Sequence, residues 1–306
     1  MCGRYVTPEE RAIEQFWNLR RHDPFKGIQG DARIARPNYN TLPTQMVPVE
    51  RIGKDGPEVV RMRWGMDRLL SNGDISPTKL NNARMENVRK YRPFAEPFKK
   101  GQRGLQLAQG YYEWKEKSKP PRWKARVPYY IYPTDQVPIF ALACVYDVSE
   151  EDPKLLTCSV ITMQATGRLL DIDERMPALL RREDFDTWLT GTPEEAYAVL
   201  KPYPDELLHI SRVRPDINKG TTPSSPSLIE PDSEPEPEPP TDEEIAAEEK
   251  RIKEEKAAKK EALAAKREAE REEKKRVKEA EREAEREAER EAKRKAGRDA
   301  GQGELF

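Results

Sequence analysis

Two apolar runs decide the fold: Ile139–Val148, IFALACVYDV, and Leu155–Gln164, LLTCSVITMQ. Their β-branched and aromatic content reads as strand. Working outward, shorter runs of the same kind fall at Gln45–Glu50, Glu58–Trp64, Gly104–Gln109 and Val127–Pro133. Helical signals are fewer. Thr7-Pro8-Glu9-Glu10 is a capping box with proline at the first helical position, and predicts a helix to about Arg20. Ile13, Phe16 and Trp17 fall on its inward face. Arg182–Leu189 reads as a short helix, and Thr192-Pro193-Glu194-Glu195 opens another ending near Tyr203. Strands outnumber helices and do not alternate with long ones, so the pattern predicts an α+β core rather than a βαβ sheet.

Composition divides the chain. Of its 306 residues 36% are charged, and the formal net charge is −1. Residues 221–306 hold 20 Lys+Arg and 26 Asp+Glu, a net of −6, which leaves +5 for residues 1–220. A mildly basic first part permits a polyanionic partner. From Thr221 to Pro240 the Pro-Ser and Glu-Pro repeats predict an extended acidic linker. Residues 241–297 are almost entirely Ala, Glu, Lys and Arg behind a third capping box, Thr241 with Glu244, and predict one long charged helix. At ~1.5 Å per residue it would reach roughly 80 Å. Ala280, Ala284, Ala288, Ala292 and Ala296 recur every four residues, a spacing that favours a solvated single helix over a coiled coil. Weak self-association or nucleic-acid contact is the other reading of that segment. Residues 298–306 read as a disordered tail. The expected division is therefore 1–220, 221–240, 241–297 and 298–306.

Several classes are excluded. No apolar run approaches 18 residues, so no transmembrane helix is expected. Arg4, Glu9, Glu10 and Arg11 interrupt any apolar leader. Cys2, Cys144 and Cys158 are too scattered for a disulfide framework or zinc site, and fit a reducing compartment, nucleus or cytoplasm. With two histidines in the chain, a histidine-rich metal centre is excluded, and no cofactor is expected.

The chain opens Met1-Cys2-Gly3-Arg4-Tyr5. Trimming of the initiator methionine would leave Cys2 with a free α-amine and a thiol on adjacent carbons. Such a 1,2-aminothiol condenses with an aldehyde to a five-membered thiazolidine, which no internal cysteine can do.

Four motifs carry a resemblance: Met1–Tyr5, Asn82-Ala83-Arg84-Met85-Glu86, Gly110-Tyr111-Tyr112-Glu113-Trp114, and Arg175-Met176-Pro177 followed by Ala178-Leu179-Leu180. In order and spacing they resemble the SRAP, or SOS-response-associated peptidase, family over roughly residues 2–218. The resemblance implies a compact α+β domain with a curved, barrel-like mixed sheet core and a positively charged DNA channel. It implies a monomer that senses abasic sites in single-stranded DNA. The aminothiol of Cys2 would capture the ring-opened sugar as a covalent thiazolidine crosslink, shielding the lesion. It further implies a self-processing peptidase step and lyase chemistry, with no membrane partner. The charged tail is left for a replication or repair protein.

Residue by residue, the resemblance assigns Cys2 as the crosslinking group, Glu113 as the proton-transfer carboxyl and Asn82 as the amide beside the cysteine. Arg4, Arg84, Thr162 and Arg175 are assigned to the DNA backbone or to pocket support. The aromatic neighbours of Glu113 predict a raised carboxyl pKa. Asp173 departs from the pattern, since the family has histidine two residues before Arg-Met-Pro. A neutral histidine can donate a hydrogen bond and shuttle a proton, whereas an ionised aspartate only accepts and repels phosphate. Asp173 is therefore counted in the site but predicts altered ring opening or crosslink reversal. The loop after Arg63-Trp64-Gly65 also differs from the family. Two alternatives stay open: a noncatalytic single-stranded or damaged-DNA-binding protein of the same fold, and a cysteine peptidase acting on other proteins.

Overall fold

The computed structural model describes residues 2–13, 15, 37–119, 123–136, 138–235, 237–238 and 241–254 except 245, 248, 249 and 252. Each of the six sequence-predicted strand runs contains a strand. They are β3 (Met46–Gly53), β4 (Gly56–Trp64), β6 (Arg103–Ala108), β8 (Trp123–Pro133), β9 (Phe140–Val148) and β10 (Leu156–Gln164). The remaining strands are β1 (Tyr5–Thr7), β2 (Asn38–Thr41), β5 (Asn82–Arg84), β7 (Gly110–Lys119), β11 (Arg175–Pro177), β12 (Leu179–Leu180) and β13 (Leu208–Arg212). Short helices with complete bounds among the described residues are α1 (Arg92–Lys99), α2 (Phe185–Thr190) and α3 (Pro193–Ala198). The Thr192–Glu195 capping box is formed reciprocally, but α3 stops at Ala198, well before Tyr203. Pro202 and Pro204 beyond it cannot continue a helix. Of the predicted first helix, residues 10–13 are helical and Ile13 is buried; Phe16, Trp17 and Arg20 lie outside the described residues.

The strands form two sheets. One has the order β13-β8-β7-β1-β2; the other runs β11-β10-β4-β3-β6-β9-β12, with β5 attached to β10. A further β9–β10 pairing links strands of the second sheet into a ring. That ring is not a barrel, which corrects the barrel-like core expected above. Barrel closure needs continuous, evenly staggered ladders. Here β4 meets β10 at two positions only, Arg63 with Thr157 and Trp64 with Cys158, and β3 meets β6 at two. β10 then leaves β4 and pairs in parallel with β5. The expected long charged helix is not carried by the structure either. A helical start behind Thr241, capped by Glu244, is described, and the rest lies outside the described residues. No helix among the described residues is long and apolar enough to cross a membrane.

Burial follows the two-residue period of β7. Tyr111 packs in the main core with Tyr5, Trp64 and Ile131, whereas Tyr112 and Trp114 join a second cluster with Val6, Tyr130, Val213, Ile217 and Leu228 on the opposite face. Gly110 is required by close approach. A Cβ there would lie 2.1 Å from the Tyr130 ring. In the larger sheet Arg103 is 3% exposed, yet its guanidinium is satisfied by the carbonyls of Phe98, Trp188 and Gly191 at the ends of α1 and α2. A cation at helix C-termini is favourable.

The chain divides into two compact units, Met1–Glu238 and Pro239–Phe306. The first includes part of the stretch that composition assigns to a linker. Leu228 is buried, Tyr39 N donates to Ser224 Oγ at 2.9 Å, and Val213 bridges to Pro231.

Candidate active site

The site forms where the N-terminal strand of one sheet meets β5, β10 and β11 of the other. β1 is held against β7 by Tyr5–Tyr111 pairing, and Tyr112 N donates to Arg4 O at 3.0 Å. This brings Cys2 toward Glu113 on β7. On the opposing sheet β10 acts as a spine. Asn82 pairs with Val160, Arg84 with Thr162, and Arg175 with Gln164. Two distant motifs are thereby gathered on one strand. Asn82 Nδ2 donates to the Cys2 carbonyl oxygen at 2.7 Å and bridges the sheets.

Cys2 is fully buried, and Glu113 is 2% exposed. Burial raises the Glu113 pKa to about 8, with the Asp173 carboxylate adding to the rise. Burial likewise pushes the Cys2 thiol up, and Glu113 contributes in the same direction. Burial thus favours the neutral form of both the Glu113 carboxyl and the Cys2 thiol, while the N-terminal charge opposes it at Glu113. Asp173 is half-buried, and its Oδ1 accepts from Arg175 N at 2.8 Å. Its charge is felt at both Cys2 and Glu113. The unusual aspartate thus lies within the site, where it favours the neutral form of its neighbours.

The assigned cations do not all converge. Arg175 is committed to a two-pronged ion pair with Glu86, at 2.8 and 3.1 Å, and also donates to Thr162 O at 2.7 Å. The Thr162 hydroxyl is buried and lies 3.5 Å from Arg175 Nη2. These two residues brace β10 against β11. Arg84 is exposed beside Glu86. Arg4 lies with Trp114 rather than with Cys2, its guanidinium 5.3 Å from the Trp114 ring centre. It is 9% exposed, and its Nε and Nη1 find no hydrogen-bond partner among the described residues. Burial lowers its pKa, and Arg126 adds to that.

Arg126 is the residue that sequence reasoning missed. It stacks over the Trp114 ring at 4.9 Å and lines a groove of about 450 Å³ with Glu113, Trp114, Lys115 and Asp173. No motif contains it. Its place follows from the β7–β8 ladder, in which it faces Glu116.

The altered loop after Trp64 builds a charge network away from these groups. Asp67 accepts from Lys79 Nζ at 2.8 Å, from Ser149 Oγ at 2.6 Å, and from Arg63. Burial would raise its pKa, but these donors outweigh burial and hold it below the ordinary carboxyl value.

The abasic site processing protein YoqW of Bacillus subtilis is 28% identical over 237 residues, covering 75% of this chain and 99% of that protein. The abasic site processing protein HMCES of Mus musculus is 26% identical over 257 residues, covering 68% of this chain and 70% of its own. In fold, the chain is similar to a solved protein of Bacteroides thetaiotaomicron, with TM-score 0.58 and 22% identity over 76% of this chain and all of that one. A phage-related protein of Bordetella bronchiseptica gives TM-score 0.55 and 20% identity over 73% of this chain and all of that one. The family model for SOS response associated peptidase (SRAP) matches residues 1–220, and the chain belongs to that family.

Proposed function

We propose that this protein recognises abasic sites in single-stranded DNA and captures them covalently through Cys2 once Met1 is removed. The observation that carries the reading is the pairing of a buried Cys2 with a buried Glu113 whose pKa is raised to about 8. The names of the relatives support the lesion as substrate.

The chemistry balances with these residues alone. The Cys2 α-amine adds to the C1′ aldehyde of the ring-opened sugar. The protonated Glu113 gives its proton to the departing hydroxyl, and water leaves as the iminium forms. The Cys2 sulfur then attacks the iminium carbon, its proton passes to the Glu113 carboxylate, and the thiazolidine closes on a neutral nitrogen. A thiol kept protonated by burial suits this order, since it attacks last and returns the proton. Asn82 fixes the Cys2 backbone and so the position of both nucleophiles. A self-processing peptidase step is needed only if ordinary methionine trimming fails.

Asp173 favours a second reading, a binder of the same fold without crosslinking, because its carboxylate cannot donate as the family histidine does. Incubating Met1-trimmed protein with an abasic single-stranded oligonucleotide separates the two. An adduct that survives denaturation and disappears in Cys2→Ala supports capture. Retained binding without adduct supports the second reading.

A further inference from the structure

We infer that Arg126, Arg212 and Arg214 form a phosphate-binding surface for single-stranded nucleic acid, and that the acidic stretch from Glu230 to Pro235 of the same chain competes for it. This rests on the nucleic-acid reading above and extends it to residues outside the four motifs. A second groove of about 460 Å³ is lined by these three arginines together with Glu230, Asp232 and Glu234. Arg126 also lines the groove that contains Glu113, so the two grooves adjoin along one side chain. The other charged residues lining the Glu113 groove are Lys115 and the acids Glu116, Asp171, Asp173 and Glu174, so Arg126 is the cation through which it adjoins Arg212 and Arg214.

The acidic segment is seated by backbone pairing as well as by charge. Asp232 N donates to Arg212 O at 2.9 Å, and Arg212 Nη2 donates to Asp232 O at 3.0 Å. The Asp232 carboxylate lies 3.7 Å from the same guanidinium. Val213 pairs with Pro231 at this point. Leu228 anchors the segment in the cluster beneath. Beyond that anchor the sequence Glu230-Pro-Asp-Ser-Glu-Pro repeats a carboxylate every two residues. At ~3.1 Å per residue in an extended proline-rich chain, those charges recur about every 6 Å. That spacing is close to the phosphate spacing of an extended single strand. Arg126 and Arg214 keep exposed guanidinium groups, with side-chain exposures of 54% and 61%. Their contacts to Glu116 at 3.9 Å and Asp216 at 3.1 Å are surface pairs that phosphate can displace.

The test is equilibrium binding of an intact, lesion-free single-stranded oligonucleotide to the full chain across a salt series. Neutralising the segment, Glu230→Gln with Asp232→Asn and Glu234→Gln, should tighten binding about fivefold or more at low salt. Arg126→Gln with Arg214→Gln should weaken it and reduce the log–log salt slope by about 0.7 per arginine. The two sets combined should lose most of the gain from neutralisation. Unchanged affinity in the neutralised protein, or an unchanged slope in the arginine variant, overturns the inference. Because the oligonucleotide has no aldehyde, adduct formation on abasic DNA is scored separately. Adduct with an insensitive salt slope leaves the proposed function standing and this surface refuted. No binding to any single strand refutes both.

Discussion

Asn82 and Cys2, eighty residues apart, are joined by a 2.7 Å hydrogen bond from the Asn82 amide to the Cys2 carbonyl. The bond crosses from one sheet to the other and fixes the start of the chain. Asn82→Ala removes it, and a hydrogen bond of this kind contributes about 1 kcal/mol to stability. The larger effect should fall on capture, with adduct formation slowed roughly tenfold for each ~1.4 kcal/mol of lost positioning. Affinity for intact single-stranded DNA should change little, and comparing the two measurements isolates the positioning role.

Glu113 is expected to act in its protonated form. With a pKa of about 8, capture should slow as pH rises through that value. Glu113→Gln should lose about 10²–10⁴-fold in rate while keeping DNA affinity. Asp173→Asn removes a negative charge that raises the Glu113 pKa. The alkaline limb of the rate profile should then move to lower pH. A limb that stays fixed would show that Asp173 does not tune the carboxyl.

The alternation along β7 explains how much of this was legible. Six strand runs and the Thr192 cap were readable because apolar content and cap chemistry are local. β7, which carries Glu113, has no strand signal in the sequence, since Lys115-Glu116-Lys117 gives it a charged half. Its strand character comes from the β8 ladder, in which Tyr111 meets Ile131 and Lys119 meets Trp123. The motifs name Cys2, Asn82 and Glu113 one by one, but their meeting follows from tertiary pairing: β1 on β7 brings Cys2 toward Glu113, and β5 on β10 places Asn82 against Cys2. Arg4 and Arg175 were read as one class of cation. The fold sends Arg4 to Trp114 and Arg175 to Glu86. Sheet topology is not legible in the sequence, because which strands pair is set by tertiary contacts that leave no periodic mark.

Composition also misled at residues 221–232. Prolines and acids mask the Leu228-Ile229 pair, which packs over Tyr112, Val213 and Ile217. A chain ending at Lys219 should lose roughly 2–4 kcal/mol, on the basis of ~1.5–3 kcal/mol per large buried apolar side chain. A chain ending at Glu238 should unfold at the full-length temperature. Thermal denaturation of both truncations checks this.

Asp67 ties stability to acid. Its folded-state pKa is depressed, so its contribution is complete above the unfolded value of ~3.9 and is lost as pH falls through the folded value. Asp67→Asn should cost about 3 kcal/mol at neutral pH, because Arg63 and Lys79 lose a nearly buried partner. The variant should also show a shallower acid unfolding limb. Denaturant titrations at pH 7 and pH 3 measure both effects.

Capture of an aldehyde by Cys2 with assistance from Glu113 has a direct mass signature. Intact-mass analysis of Met1-trimmed protein after incubation with an abasic single-stranded oligonucleotide tests it most directly. The expected product is a species equal to protein plus oligonucleotide minus one water, absent in Cys2→Ala and strongly delayed in Glu113→Gln. An adduct that persists in Cys2→Ala, or no adduct from trimmed wild-type protein that binds the same oligonucleotide, would contradict it.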